Sequence, residues 1–263
     1  MSYLPPIIPA TILGTLATVG VFLTFGAPST ALMAGPIVVE TPETPVAIEL
    51  FTSQGCSSCP PADRVAAKLA KEDNLVVISR PVTYWDRLGW KDTLAREENT
   101  TLQRDYAFQG LSGRNGVYTP QVVVDGQRGT VGSNEAIVRQ YIKQSAKAPA
   151  ALALRPQDDG SVIIGVAGDT SKTAHLTLVA LDSHVSVKIG RGENGGRTVN
   201  YTNVVVDETR LGEWNGGKAS FTITPNQLSH IGADRYALLL RSKNAGPILA
   251  ARYVVRGEEN GAS

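Results

Sequence analysis

Residues 46–60 read V-A-I-E-L-F-T-S-Q-G-C-S-S-C-P, and the fold of the whole chain is read outward from this stretch. Val46 to Thr52 is a short β-type run that ends at Gly55. From Pro60 onward the pattern is helical, with Val65, Ala66, Leu69 and Ala70 on one face. Cys56 and Cys59 therefore stand between a buried strand and a helix start. A cysteine in that place faces unpaired backbone N–H groups and the positive end of the helix dipole, which favour thiolate over thiol. The thiolate is the nucleophile of disulfide exchange, so Cys56 is the expected attacking sulfur and Cys59, one turn in, the resolving one. Asp63, four residues after Cys59, shares its helical face. It either accepts a proton from Cys59 or is a solvated first-turn carboxylate favoured by the dipole; the residues alone favour the second.

The surrounding composition narrows the classes. At about 100–200 residues per domain, 263 residues make one large or two ordinary domains. With 42% hydrophobic and 19% charged residues the chain is globular rather than disordered. A formal net charge of +1 excludes a nucleic-acid binder held by a general basic field. Two cysteines exclude a disulfide scaffold and a four-cysteine zinc or iron–sulfur site. The three histidines, His175, His184 and His230, fall in the second half of the chain and read as ordinary strand or loop residues. No cofactor and no metal site is assigned.

Downstream of the cysteines, Leu75 to Ser79 reads as a buried strand. Asp86 to Gln109 reads as a helix with Asp92 as an N-cap candidate, and Gln121 to Val124 as a third strand. Asp125-Gly126 is a hairpin turn, Gly129 to Gly132 a return strand, and Ser133 caps a helix over Asn134 to Gln144. After a linker at Ser145 to Ala150 the pattern changes. From Ala151 to Arg256 seven or eight short β runs with turn residues between them suggest an antiparallel sandwich. Within this half, Gly190 to Arg197 (G-R-G-E-N-G-G-R) lacks the lysine and the strand-to-helix setting of a phosphate loop, and reads as a solvated hairpin loop.

Upstream, no Lys or Arg occurs before Arg64, and Ile7 to Phe25 carries no charge of either sign. Nineteen residues make a helix of roughly 28 Å, enough to cross a bilayer core. The segment reads as a single-pass anchor entered through Pro5, Pro6 and Pro9; Ala10, Gly14 and Thr18 are either a small-residue stripe toward another membrane helix or the small residues common in any apolar helix. The alternative is a signal peptide cleaved after Ser29-Thr30-Ala31, which leaves a soluble protein. Pro36, Pro42 and Pro45 mark a tether. The expected organisation is an anchor or signal segment over 1–35, a tether over 36–45, a cysteine-bearing α/β domain over 46–146 and a β-sandwich-like domain over 150–256.

One further motif, Tyr118-Thr119-Pro120 just before the third strand, completes a resemblance. Strand, Cys-x-x-Cys, helix start and Thr119-Pro120 together resemble the thioredoxin-like superfamily. A-I-E-L-F-T-S-Q-G-C-S-S-C-P-P-A-D (47–63), Y-W-D-R-L-G-W-K-D (84–92), G-V-Y-T-P-Q-V-V-V-D-G (116–126) and R-G-E-N-G-G-R-T-V-N-Y-T-N-V-V (191–205) are similar to a family of secreted bacterial thioredoxin-like proteins of unassigned function. The resemblance spans about residues 46 to 256. It implies an α/β thioredoxin-like domain followed by the all-β sandwich-like domain, Cys56 and Cys59 as the redox pair, and Pro120 as a cis-proline that presents backbone to a substrate. It also implies a bacterial periplasmic or extracytoplasmic location. The family is expected to carry a His and an Asp just before Tyr-Trp-Asp, where this chain has Pro81 and Thr83. Trp85, Asp86 and Trp90 are pocket or packing candidates, with core packing preferred for the aromatics.

Two functions from different classes follow. The first is an exported, membrane-anchored thiol–disulfide oxidoreductase acting on protein or small-molecule disulfides through Cys56. The second is a non-catalytic accessory subunit of a membrane-protein complex, held through residues 7–25, whose folded part is an interaction platform. At the level of the cysteines alone, a structural short-loop disulfide and a two-thiolate Cu(I) site stay open.

Overall fold

The structure is a computed structural model, which describes residues 44–112, 116–145, 148–170 and 173–254. The cysteine-bearing stretch folds as β1 (Val46–Thr52), the cysteine loop and α1 (Pro60–Leu69), followed by β2 (Leu75–Pro81). β1 and β2 run parallel, with Val46 opposite Leu75 and Thr52 opposite Pro81. Both strands are buried almost throughout, which explains their near-continuous apolar composition. Ile48 and Leu50 of β1 pack under α1, together with Ala62, Ala66 and Leu69, while Phe51 packs on the opposite face with Val82 and Tyr106.

Next come α2 (Glu97–Phe108), β3 (Gln121–Val124), β4 (Arg128–Val131) and α3 (Glu135–Lys143). β3 lies antiparallel to β1, and β4 returns along β3 through Asp125 and Gly126. Asp125 and Gly126 have positive φ, 48° and 63°, and the Gln127 N–H closes the turn on the Val124 carbonyl at 2.9 Å. The helix expected from Asp86 begins only at Glu97. Asp86–Leu88 is a single 3-10 turn ended by Gly89, and Asp92 caps no helix. At α3 the cap is Asn134, whose side chain accepts the Ile137 N–H, rather than Ser133.

The second half supplies β5 (Ala150–Pro156), β6 (Val162–Gly168), β7 (Ala174–Lys188), β8 (Thr198–Trp214), β9 (Ala219–Ile223), β10 (Arg235–Ser242) and β11 (Ile248–Val254). The expected fold class, an α/β domain followed by a separate β-sandwich, is corrected here. One eight-stranded mixed sheet runs through both halves in the order β11-β10-β7-β8-β2-β1-β3-β4, and only β5, β6 and β9 form a second sheet. The join is parallel, at Ser79 opposite Val204. The core follows the join: Ala47, Val76 and Ile78 share a cluster with Val179, Leu181, Val205 and Leu239. The small sheet covers the far end, where Leu152, Ile164 and Ile223 meet Leu176, Trp214 and Leu238.

The physical reason for the misreading lies in β7 and β8, which are 15 and 17 residues long. Asp182-Ser183-His184 interrupts the apolar alternation like a turn, yet the strand runs through it, with register shifts at Leu176/Thr177 and Ala180/Leu181. The 185–201 end of this hairpin packs with Trp90 and Leu94 as a cluster of its own around Ile189, Val199, Tyr201 and Val204. The apolar helix expected over Ile7 to Phe25 lies outside the described residues. Among the described residues no helix is long and apolar enough to cross a membrane.

A buried charge cluster sits where the halves meet. Arg80 of β2 donates to Glu49 of β1 at 2.7 Å and forks onto Glu208 of β8 at 2.9 and 3.1 Å. Arg241 of β10 also reaches Glu49 at 2.7 Å, and Tyr106 of α2 donates to the second Glu49 oxygen. Buried charges stay ionised only when paired in this way. The cluster therefore holds strands from both halves in register around one carboxylate.

Candidate functional site

Cys56 and Cys59 are joined as a disulfide, with their Cα atoms 5.4 Å apart. Both are fully buried, whereas Ser57 and Ser58 between them are exposed. Cys59 is the N-cap of α1. The unpaired N–H groups expected at this helix start are spent: Pro60 and Pro61 carry none, and those of Ala62 and Asp63 turn back to the Cys59 carbonyl at 2.8 and 3.1 Å. What remains near Cys56 Sγ is the Ser58 hydroxyl at 3.3 Å.

Asp63 is the residue whose reading changes most. It is not solvated but 3% exposed. One carboxyl oxygen accepts the Thr52 hydroxyl at 2.8 Å, and the other has no partner among the described residues. Burial pushes its pKa from 3.8 up to about 8; the Thr52 hydrogen bond opposes this and the nearby Asp92 charge adds to it. Asp63 is thus a carboxylic acid at neutral pH, one helical turn beyond Cys59 and on its side of α1. Asp92 is buried too and is raised by burial, against hydrogen bonds from the Gln54 N–H at 2.7 Å and the Leu94 N–H at 2.8 Å. Tyr201 of β8 lies near both acids: burial and then the Asp63 and Asp92 charges raise its pKa.

Gln54 joins the walls of the site. Its backbone N–H goes to Asp92, its side-chain oxygen accepts the Trp90 indole N–H at 2.8 Å, and its side-chain nitrogen donates to Thr93 at 3.1 Å. Trp85 forms a second bridge. Its indole N–H donates to the Thr119 hydroxyl at 2.8 Å, and its Cβ lies beside Gly55. The two tryptophans pack as expected, Trp85 on the Phe51 cluster and Trp90 on the Ile189 cluster, and each also donates a hydrogen bond within the site. Thr119 and Pro120 directly precede β3, and the peptide bond between them is cis. Pro81 and Thr83 anchor α2 instead: the Pro81 carbonyl accepts Asn99, and the Thr83 hydroxyl donates to Glu97.

The loop at Gly190 to Arg197 is a hairpin turn with seven of its eight residues exposed, as expected; what the sequence reading missed is that it sits on the cysteine loop. Asn194, fully buried, donates to the Gln54 carbonyl at 3.0 Å and to the Cys56 carbonyl at 2.8 Å. Glu193 accepts the Ser57 N–H at 3.0 Å, and hydrogen bonding from the Ser57 hydroxyl, with that N–H second, holds its carboxyl below the usual range. Arg197 donates to the Asn194 side-chain oxygen at 3.1 Å, so this arginine serves the loop itself. The available signal was that the R-G-E-N-G-G-R motif recurs in the same resemblance as the cysteines. Among the described residues no group of three or more His, Cys, Asp or Glu side chains is placed to hold a metal ion.

The crystal structure of a protein from Agrobacterium tumefaciens is 27% identical, with 85% of this chain and 100% of that one covered and a TM-score of 0.71. HBP35 of Porphyromonas gingivalis is 16% identical over 84% of this chain and 79% of that one, with a TM-score of 0.52, a likeness of fold alone. No curated protein matches. A family described as a protein of unknown function, DUF1223, matches residues 47–241.

Proposed function

The chain belongs to the DUF1223 family of proteins of unknown function, and we propose that it is an exported thiol–disulfide exchange protein working through Cys56 and Cys59. The observation that carries the reading is the Cys56–Cys59 disulfide at the start of α1 with a protonated, buried Asp63 one turn behind it. It also draws on the resemblance to thioredoxin-like proteins in residues 47–63 and 116–126. Export and membrane anchoring rest on the charge-free segment Ile7 to Phe25.

The exchange runs with a dithiol, on a protein or a small molecule, as reductant. A substrate thiolate attacks Cys56 Sγ, the sulfur beside the exposed Ser58, forming a mixed disulfide and breaking the Cys56–Cys59 bond. Cys59 Sγ leaves with the bond's electron pair, and Asp63 supplies its proton. The second substrate thiolate then attacks the substrate sulfur of the mixed disulfide, expelling Cys56 Sγ, which takes a proton from water. The substrate departs as a disulfide and the protein as a dithiol. The two protons the substrate thiols released to water balance those taken up by Cys56 and, after its transfer, by Asp63.

Reduction of the native disulfide by a dithiol, and oxidation of the dithiol by oxidised glutathione, test this. Cys56→Ser is expected to abolish exchange; normal turnover by that variant overturns the reading. The complete burial of both sulfurs favours a second reading, a structural disulfide that pins the cysteine loop. In that case both cysteine variants lose stability and the wild type shows no exchange with either reagent.

A further inference from the structure

We propose that the Gly190 to Arg197 turn between β7 and β8 is a lid that holds the Cys56–Cys59 site shut, and that exchange requires this turn to lift; the proposal rests on the exchange reading above and adds a gate to it. Attack on a disulfide sulfur needs a clear approach along the S–S axis, and neither cysteine has exposed surface. The turn covers the loop through three hydrogen bonds, from Asn194 to the Gln54 and Cys56 carbonyls and from the Ser57 N–H to Glu193. These occupy backbone groups on both sides of Cys56, which an arriving substrate must pass.

The construction of the turn suits opening. Its root is fixed, because Ile189 is fully buried in the cluster that holds Trp90. Its tip carries four glycines, two of them, Gly192 and Gly196, at φ of 77° and 82°, where other residues are strained. Gly190 lies flat on the Trp90 ring, with a Cβ there only 3.0 Å from the indole. The tip's one buried side chain is Asn194, and its contacts with the cysteine loop are polar. Hydrogen bonds exchanged for water cost little net free energy, so opening at the tip leaves the core intact.

The test measures the rate at which the full chain loses its disulfide in excess dithiothreitol, read by alkylation and intact mass. Asn194→Ala is expected to react about tenfold faster than wild type, and Glu193→Ala about threefold faster. Equal rates in all three proteins overturn the lid. Glu193 is exposed, so its variant keeps the test decisive if Asn194→Ala fails to fold. If the variants are reduced faster yet none exchanges with glutathione, the lid stands and the exchange reading falls. If the wild type exchanges at a rate that neither substitution changes, the exchange reading stands and the lid falls.

Discussion

Glu49 on β1 and Asp63 on α1 are both carboxyls removed from solvent, and they stand in opposite protonation states. Burial pushes each toward the neutral acid. For Glu49 the guanidiniums of Arg241 and Arg80 outweigh it and hold the pKa at about 2. For Asp63 a single neutral hydroxyl, that of Thr52, is the only side-chain hydrogen-bond partner among the described residues, and the pKa rises to about 8. The difference separates a carboxyl with a fixed charge from one that titrates. A carboxylate saturated by two cations has its charge state locked, whereas a carboxyl with one unpartnered oxygen can give up a proton near neutral pH.

The largest effect that would sharpen the contrast is at Glu49. Removing it by Glu49→Ala strands the buried Arg241 guanidinium, leaves Arg80 with Glu208 alone, and is expected to cost about 3–5 kcal/mol in denaturant unfolding at pH 7. Asp63→Asn should do the reverse. The folded chain keeps the Asp63 proton that the unfolded chain loses near pH 3.8, so this group withdraws stability as pH rises from about 4 to 8. The variant is expected to match wild type at pH 4 and to exceed it by several kcal/mol at pH 8.5, while exchanging more slowly for want of the proton at Cys59. Glu49 has the opposite sign: its contribution is present above its ordinary pKa of 4.5 and is lost as pH falls toward 2. An Asp63→Asn variant less stable than wild type at pH 8.5 would break the comparison.

Smaller effects come from the neutral walls of the site. Trp85→Phe removes the bond to Thr119 and is expected to lower stability by about 1 kcal/mol, measured by thermal unfolding. The exposed Lys68–Glu135 pair, at 2.7 Å, is the control. Lys68→Ala should change stability by less than about 0.5 kcal/mol, because water already solvates both charges.

These two regions were unequally legible in the sequence. The β1–α1 junction could be read because each local signal agreed: an apolar run, Gly55, two cysteines and Pro60. Asp63 is legible as a first-turn residue of α1, but the groups coupled to it, Asp92 and Tyr201, lie far away in the sequence. The partners of Glu49 lie 31 and 192 residues off, at Arg80 and Arg241, and no local pattern pairs them. The same limit hid the continuous sheet. Polar residues at 182–184 look like a turn until β8 and β10 are seen on either side of β7. Asn194 was invisible for a related reason, since a Gly-rich hairpin tip reads as solvated unless the far end of the chain's first half lies beneath it.

The exchange role of Cys56 is tested most directly by trapping. Cys59→Ser and Cys56→Ser full-length proteins, each with one free thiol, are incubated with oxidised glutathione and followed by intact mass. The account predicts a glutathione adduct on Cys56 in the first protein, formed at least about tenfold faster than any adduct on Cys59 in the second. Equal labelling of the two thiols, or preferential labelling of Cys59, would contradict it.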